Sequence, residues 1–287
     1  LGLNPVTATA PNVNYPGAVP GGSSSGAAAS VAFGLAPIGI GSDTGGSVRI
    51  PSAWQDLVGL KTTAGRVSCK GVVPLVVSFD TVGPLCRTVE DAGLMLAALE
   101  GTRAADLTGA SLDGRRIAVL ETAALDDLET APAQGFDHAV ARMQAAGACV
   151  ERIVAPEVSD ALALSVVVFT PEAWGIWGEA IDAAPEKMFA PILERFRSGK
   201  GVPAAEVVAA WRKLDGYRAT WAARVAEYDA VILPTAPTMP PDVDRLMTDS
   251  DYYVRANLLA LRNTRIGNLL GLSALTLPTG VPSTGVM

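Results

Sequence analysis

One continuous stretch constrains this chain more than any other. Residues 21–61 read GGSSSGAAASVAFGLAPIGIGSDTGGSVRIPSAWQDLVGLK, in which two loops rich in Gly, Ser and Thr flank a short apolar segment. The small residues from Ser23 to Gly34 predict a closely packed helix, and Pro37 to Ile40 predicts a buried strand followed by a loop over 41–51. A chain that runs out through this helix and back along the strand brings the two serine-bearing loops, 21–26 and 41–47, together.

The second loop has a backbone suited to binding negative charge. Gly45 and Gly46 have no Cβ, so their N–H groups can approach a ligand closely and either residue can adopt a positive φ. Successive N–H groups in such a loop can hold an anion, as an oxyanion hole requires. Either loop taken alone is better explained as a tight turn. The combination of both loops around one helix and strand indicates a catalytic site.

More common motifs explain this stretch poorly. GSSSG at 22–26 fits the nucleophile elbow centred on Ser24, but that motif needs a preceding strand and a His partner. The chain has one His, and His138 is predicted to point into solvent, away from the helix face that carries Phe136. GIGSDT at 39–44 lacks the third Gly of a dinucleotide fingerprint, and GLKTT at 59–63 lacks the Gly before Lys of a phosphate loop.

The rest of the chain alternates between helix and strand patterns. Strands are predicted at 116–120, 149–154, 229–233 and 274–277, and helices at 88–99, 132–147, much of 158–226 and around 250–270. The strand–helix–strand order over 116–154 predicts a parallel pair. We therefore expect an α/β fold in a single large domain, with a mixed β-sheet core covered by helices on both faces.

Residues 21–61 closely resemble the amidase signature family. The family pattern is close to GGSSGG, a small-residue helix, G-[ST]-D-T-G-G-S-[IV]-R-x-P and V-G-L-K, and residues 81–101, 228–237 and 268–280 resemble later core segments. The resemblance covers most of the chain, more loosely between 100 and 227. It implies one amidase-like domain over 1–287, and we expect this domain to lack N-terminal and C-terminal segments that the natural protein has.

The resemblance also implies a role for individual residues. Ser47 matches the nucleophile, and Ser23 matches the serine that relays the proton to the leaving amine. The N–H groups around Thr44, Gly45, Gly46 and Ser47 match the oxyanion hole, Asp43 and Arg49 match residues that brace the loop, and the Gly22–Ser23 peptide is expected to be cis. No metal or other cofactor is implied.

The general base is the one part of the pattern that the chain does not supply. The resemblance implies a buried lysine well before the bridging serine, and no lysine precedes Ser23. Lys61 matches a structural lysine of the family instead. We expect a general-base lysine upstream of Leu1, packed beside Ser23, and an open cavity near Ser23 and Ser47.

The resemblance implies hydrolysis of an amide bond in a small carboxamide through a serine acyl-enzyme. Two alternatives stay open: an amidotransferase A subunit, in which glutaminase chemistry delivers ammonia to a partner, and a non-catalytic relative. The aromatic residues Phe169, Trp174 and Trp177 are interpreted as helix core rather than as the lining of an acyl pocket.

Composition and charge argue against some classes of binding partner. The net charge of −7 is spread without basic blocks, which argues against nucleic acid, and no uninterrupted apolar run is long enough to span a membrane. Three separated cysteines argue against a disulfide framework and favour the cytoplasm. We expect a small-molecule amide as the substrate and include a homodimer among the expected states.

Overall fold

The computed structural model describes residues 1–280. In this part of the chain the α-helices are α1 Ser25–Ala32, α2 Arg49–Trp54, α3 Val89–Glu100, α4 Thr130–Ala145, α5 Pro156–Ala163, α6 Ser165–Ala183, α7 Ala190–Arg197, α8 Ala204–Val225, α9 Val243–Thr248 and α10 Ser250–Leu269, with a 3₁₀ turn at Pro185–Lys187. The strands are β1 Ile38–Ser42, β2 Val58–Lys61, β3 Val82–Cys86, β4 Arg116–Leu120, β5 Cys149–Ile153, β6 Ala230–Ile232 and β7 Ala274–Thr276.

Antiparallel and parallel pairing are divided between two sheets. The first has the order β1-β3-β2-β7 and is antiparallel throughout, with Ile38 opposite Cys86 at one end of the β1–β3 pair. The second has the order β5-β4-β6 and is parallel, with Arg116 opposite Cys149. The α/β fold class is confirmed, and so is the parallel pair predicted over 116–154, between whose strands α4 forms the crossover.

Helices cover both faces of the antiparallel sheet, as predicted. Successive side chains on a strand point to opposite faces, so Leu85 and Cys86 at the end of the central strand β3 mark the two sides. Leu85 packs with Ala28 and Val31 of α1, and Cys86 packs with Ala92 of α3. All five residues of β3 are buried, as expected for a strand with helices packed on both of its faces.

A second core lies between β4 and the long helices. It joins Leu120 of β4 to Val158, Val168, Leu214 and Leu269, which belong to α5, α6, α8 and α10 in turn. Judged by length and composition alone, one helical stretch within residues 1–280, Pro156–Ala183, could cross a membrane. Core helices of soluble proteins have the same character, and this stretch contributes Val158 and Val168 to the core.

The predicted and observed helix ends agree where local capping sets them. The Thr88 side chain accepts a hydrogen bond from the Asp91 N–H at the start of α3, and Gly101 ends α3 in the left-handed conformation. The expected loop over 41–51 is wrong at both ends, because β1 continues to Ser42 and α2 begins at Arg49. Helix α2 is stabilised by burial of its own residues, which local propensity does not reveal.

Candidate active site

The two serine-bearing loops lie side by side. The Ser24 N–H donates to the Ser47 carbonyl oxygen at 3.1 Å, and the Ser24 hydroxyl donates to the Ser42 carbonyl oxygen at 3.3 Å. The prediction that α1 and β1 bring the loops together is therefore confirmed. Ser23 is exposed and Ser47 is half-buried, and their hydroxyls do not share a hydrogen bond. The Gly22–Ser23 peptide is cis, as the sequence resemblance implied.

The loop that carries Ser47 is organised around the buried carboxylate of Asp43. This carboxylate accepts five hydrogen bonds: from the N–H groups of Gly46 and Val48, from Nε and Nη2 of Arg49, and from the Asn268 side-chain amide. Burial raises the pKa of Asp43, but the Arg49 charge and the hydrogen bonds outweigh it and lower the pKa to about 2. Asp43 is therefore ionised throughout the neutral range and holds the backbone at Gly46 and Val48.

Arg49 connects the loop that carries Ser47 to helix α10. Its guanidinium pairs with Asp43 at 2.9 Å and also donates to the Thr264 carbonyl oxygen at 2.7 Å and to Asn268 Oδ1 at 2.6 Å. Arg49 is only 4% exposed, so its charge is compensated by this set of acceptors rather than by water. Asp43 and Arg49 are thus brought together, with Asn268 as a third member that sequence reasoning missed.

Two further contacts fix the loop from opposite sides. The Thr44 hydroxyl donates to the carboxylate of Asp80, which itself accepts N–H bonds from Leu75 and Val76. On the other side the Thr264 hydroxyl donates to the Gly45 carbonyl oxygen at 2.7 Å. Thr264 and Asn268 are four residues apart on α10, and this spacing of polar residues is the sequence signal that could have revealed these contacts.

The four backbone N–H groups expected to form an oxyanion hole have different surroundings. The Gly46 N–H is occupied, because it donates to Asp43 Oδ1 at 2.8 Å. The N–H groups of Thr44, Gly45 and Ser47 have no hydrogen-bond partner in residues 1–280. Backbone N–H groups near a half-buried serine hydroxyl are able to stabilise negative charge on a bound oxygen.

Lys61 lies deep in the fold, and its ammonium group makes no hydrogen bond to Ser23. Its ammonium group donates to the carbonyl oxygens of Thr62 at 2.9 Å and Leu272 at 2.7 Å, which ties the end of β2 to the residues before β7. Burial lowers the pKa of Lys61 to about 8, while the nearby Asp43 charge opposes that change. These contacts agree with the structural role that the sequence assigned to Lys61.

An open cavity of about 410 Å³ lies beside Ser23. Its walls include Ser23, Ser24 and Ser42, and Val72 also lines it. The space predicted beside Ser23 is therefore present, although Ser47 is not one of the residues that line it. His138 is exposed on α4, as predicted, and contributes nothing to this region.

Of the three aromatic residues that sequence analysis assigned to the helix core, Phe169 packs against the second core, whereas Trp174 and Trp177 are half-buried outside the core clusters of the described residues. Phe169 stacks on Phe79, with ring centroids 4.3 Å apart, and the Trp177 indole N–H donates to the Pro74 carbonyl oxygen at 2.8 Å. Trp174 lies under the Lys200 ammonium group, 5.1 Å from the ring centroid. Phe169 also lines a second cavity, between α6 and α10.

The α/β fold and the braced serine loop together are typical of the amidase signature enzymes. The family model named Amidase matches residues 2–286. The chain therefore belongs to the amidase family.

Individual relatives give the extent of the similarity. The 2-amino-5-chloromuconic acid deaminase of Comamonas testosteroni is 35% identical over 268 residues, which cover 92% of this chain and 58% of the deaminase. A crystal structure of an amidase is similar with a TM-score of 0.83 at 26% identity, covering 96% of this chain and 63% of that protein. The A subunit of the glutamyl-tRNA(Gln) amidotransferase from Thermotoga maritima gives a TM-score of 0.78 at 28% identity, covering 93% and 61%. The chain spans about three-fifths of the length of these relatives.

Proposed function

We propose that the protein hydrolyses a carbon–nitrogen bond of a small amide through an acyl-enzyme on Ser47. The observation that carries the proposal is the position of Ser47, half-buried and held by hydrogen bonds next to the Ser23 loop, with three N–H groups of its own loop free of partners within residues 1–280. A hydroxyl that reacts with a carbonyl needs a site for the negative charge that develops on the oxygen. The N–H groups of Thr44, Gly45 and Ser47 are the candidates for that site.

The reaction proceeds in two halves. The Ser47 oxygen attacks the amide carbonyl carbon, its proton passes through the Ser23 hydroxyl to the leaving nitrogen, and the carbon–nitrogen bond breaks to release ammonia or an amine. A water molecule then attacks the Ser47 ester, its proton returns through Ser23, and the carboxylic acid leaves. Every proton and electron pair is accounted for by the substrate, water and the two serines with a general base.

Asp43 and Arg49 position the loop and do not exchange protons with the substrate. The five hydrogen bonds to Asp43 and its pKa of about 2 support this role, because a carboxylate so strongly stabilised is a poor base. The general base is expected to be a lysine upstream of Leu1, and this stays a prediction. The bonds of Lys61 to two carbonyl oxygens make it a poor alternative.

The relatives point to chemistry at a carbon–nitrogen bond without fixing the substrate. One is named as a deaminase of 2-amino-5-chloromuconic acid and another as part of an amidotransferase. A second candidate function is therefore an amidotransferase A subunit that passes ammonia to a partner. Hydrolysis of glutamine that accelerates only with a second protein chain would favour this candidate over a free amidase. For a free amidase we propose a small-molecule substrate, no resident cofactor, a cytoplasmic location and a homodimer.

The test uses the complete natural protein and a Ser47→Ala variant. Ammonia release from a panel of simple amides is expected to fall by about a thousandfold or more, while circular dichroism is unchanged, because the variant loses only the attacking oxygen. Hydroxylamine added to the natural protein should trap the acyl group as a hydroxamate, and the variant should form none. The exposed Ser68 provides the matched control, and Ser68→Ala should retain full turnover. Near-normal turnover by Ser47→Ala would end the assignment.

A further inference from the structure

A second cavity, separate from the one beside Ser23, lies between α6, α7 and α10. It has a volume of about 220 Å³ and combines apolar walls, such as Val166, Phe169 and Leu258, with two arginines, Arg195 and Arg265. The cavity also includes Tyr253 and Asn257. Tyr253 and Asn257 are one turn apart on α10, and Arg265 lies about two turns further along the same helix, so α10 supplies three of the polar groups.

These four polar side chains have no hydrogen-bond partner in the described part of the chain. Within residues 1–280 the guanidinium groups of Arg195 and Arg265, the Asn257 amide and the Tyr253 hydroxyl make no hydrogen bond or ion pair. Tyr253 is 5% exposed and Asn257 is 8% exposed. Their polar atoms are reached by solvent rather than sealed in the core, so a ligand that enters the cavity can supply the acceptors for all four.

The charges in the cavity are unbalanced. Burial and, to a smaller extent, the like charge of Arg195 lower the pKa of Arg265 to about 9. Glu194 is the single acidic residue on the described wall of the cavity, and its side chain is 72% exposed and lies 3.6 Å from Arg197. Two half-buried guanidinium groups that no carboxylate pairs with in residues 1–280 favour binding of an anion, and a planar guanidinium suits a carboxylate in particular.

The cavity adjoins the proposed reaction site. A Cβ placed on Gly45 would lie 3.7 Å from Cγ and 4.0 Å from Nε of Arg265, so this arginine packs directly against the loop that carries Ser47. The preceding residue, Thr264, donates its hydroxyl to the Gly45 carbonyl oxygen. The arginine is therefore held at a fixed place relative to the serine two residues further along the loop.

From this arrangement we infer that Arg265 and Arg195 bind a carboxylate of the substrate, so that the preferred substrate is a small amide that carries a carboxylate, such as the monoamide of a short dicarboxylic acid. The inference rests on the proposed function, since it assumes that the amide reacts at Ser47. Asn257 and Tyr253 donate to the same carboxylate, and the apolar walls enclose the carbon chain between the two ends.

The test compares charged and neutral amides of matched length. The natural protein should hydrolyse succinamate and glutaramate with a kcat/KM at least about tenfold above butanamide and pentanamide. Arg265→Gln should reduce that ratio by about tenfold or more, mainly through KM, and Arg265→Lys should retain part of it. Arg255→Gln is the matched control, because Arg255 is exposed on the same helix and should leave the ratio unchanged.

A binding measurement separates this inference from the proposed function. Calorimetric titration of the Ser47→Ala variant with glutarate should show binding that Arg265→Gln in the same background weakens by about tenfold or more. Glutarate binding without any amide hydrolysis would support the carboxylate site and contradict the proposed reaction. Equal rates of hydrolysis for neutral and charged amides would overturn the carboxylate site and leave the reaction at Ser47 intact. Glutarate binding that is unchanged in the Arg265→Gln variant would have the same consequence.

Discussion

The Asp43→Asn substitution tests how the active-site loop is held. It preserves the size of the side chain but removes its charge, and it leaves Arg49 in a buried position without a counter-ion. Removing one partner of a buried ion pair costs about 3–5 kcal/mol in the free energy of unfolding. If the Asn side-chain oxygen still accepts some of the five hydrogen bonds that Asp43 accepts, the cost should lie near the lower end of this range.

Part of that loss depends on pH, and its sign follows from the pKa. The pKa of Asp43 is lowered from 3.8 to about 2, so the folded state binds the proton less tightly than the unfolded state does. The stabilisation is then fully present above the unfolded pKa of 3.8 and disappears as the pH falls through about 2. A shift of this size corresponds to about 2 kcal/mol. The Asn variant has no such contribution at any pH.

Urea unfolding followed by tryptophan fluorescence measures both parts. The difference in the free energy of unfolding between the natural protein and Asp43→Asn should be about 3–5 kcal/mol at neutral pH and should shrink by about 2 kcal/mol in strong acid. Asp229→Asn is the matched control, because the Asp229 pair with Arg115 is exposed and should contribute little. A neutral-pH loss no larger than that of the control, or a difference that does not change with acid, would refute the reasoning.

Three further predictions concern separate features. Gly46→Ala should lower both the urea midpoint and amide turnover, because Gly46 has a φ of 133° and a Cβ there would lie 2.2 Å from Thr264 Oγ1. For Lys61, whose pKa is lowered from 10.5 to about 8, the natural protein should gain up to about 3 kcal/mol relative to Lys61→Met as the pH rises between those values, measured by urea unfolding. Thr88→Ala should cost about 1 kcal/mol of stability through the lost α3 cap and leave amide turnover unchanged.

The features that sequence analysis predicted well are those set by neighbouring residues. Thr88 and Gly101 define the ends of α3 through local capping, and the largely apolar sequence RIAVL at Arg116–Leu120 gives β4 with the observed bounds. The approach of the two loops also follows from a short helix and strand between them. In each case the determining contacts lie within a few residues or one supersecondary unit.

The features that were missed depend on contacts between distant parts of the chain. Helix α2 begins inside the segment 41–51 that was expected to be a loop, and its Ile50 and Trp54 are buried in a cluster with residues of α10. The bonds from Thr264 and Asn268 to the loop join parts of the chain 219 and 225 residues apart. No local pattern specifies which helix lies over a glycine-rich loop, because that choice depends on tertiary packing.

Helix α10 links the stability of the loop to the choice of substrate. Thr264 and Asn268 bind the loop at Gly45 and Asp43, while Arg265, between them in sequence, lines the cavity. Neighbouring residues on a helix are separated by about 100° of rotation, so one face can hold the loop while the adjacent face varies. Substitutions that remove only the guanidinium group of Arg265 should therefore change which amides bind, while the bonds from Thr264 and Asn268 keep the loop in place. Substitutions at 264 or 268 should reduce turnover of every amide together, because they loosen the backbone beside Ser47.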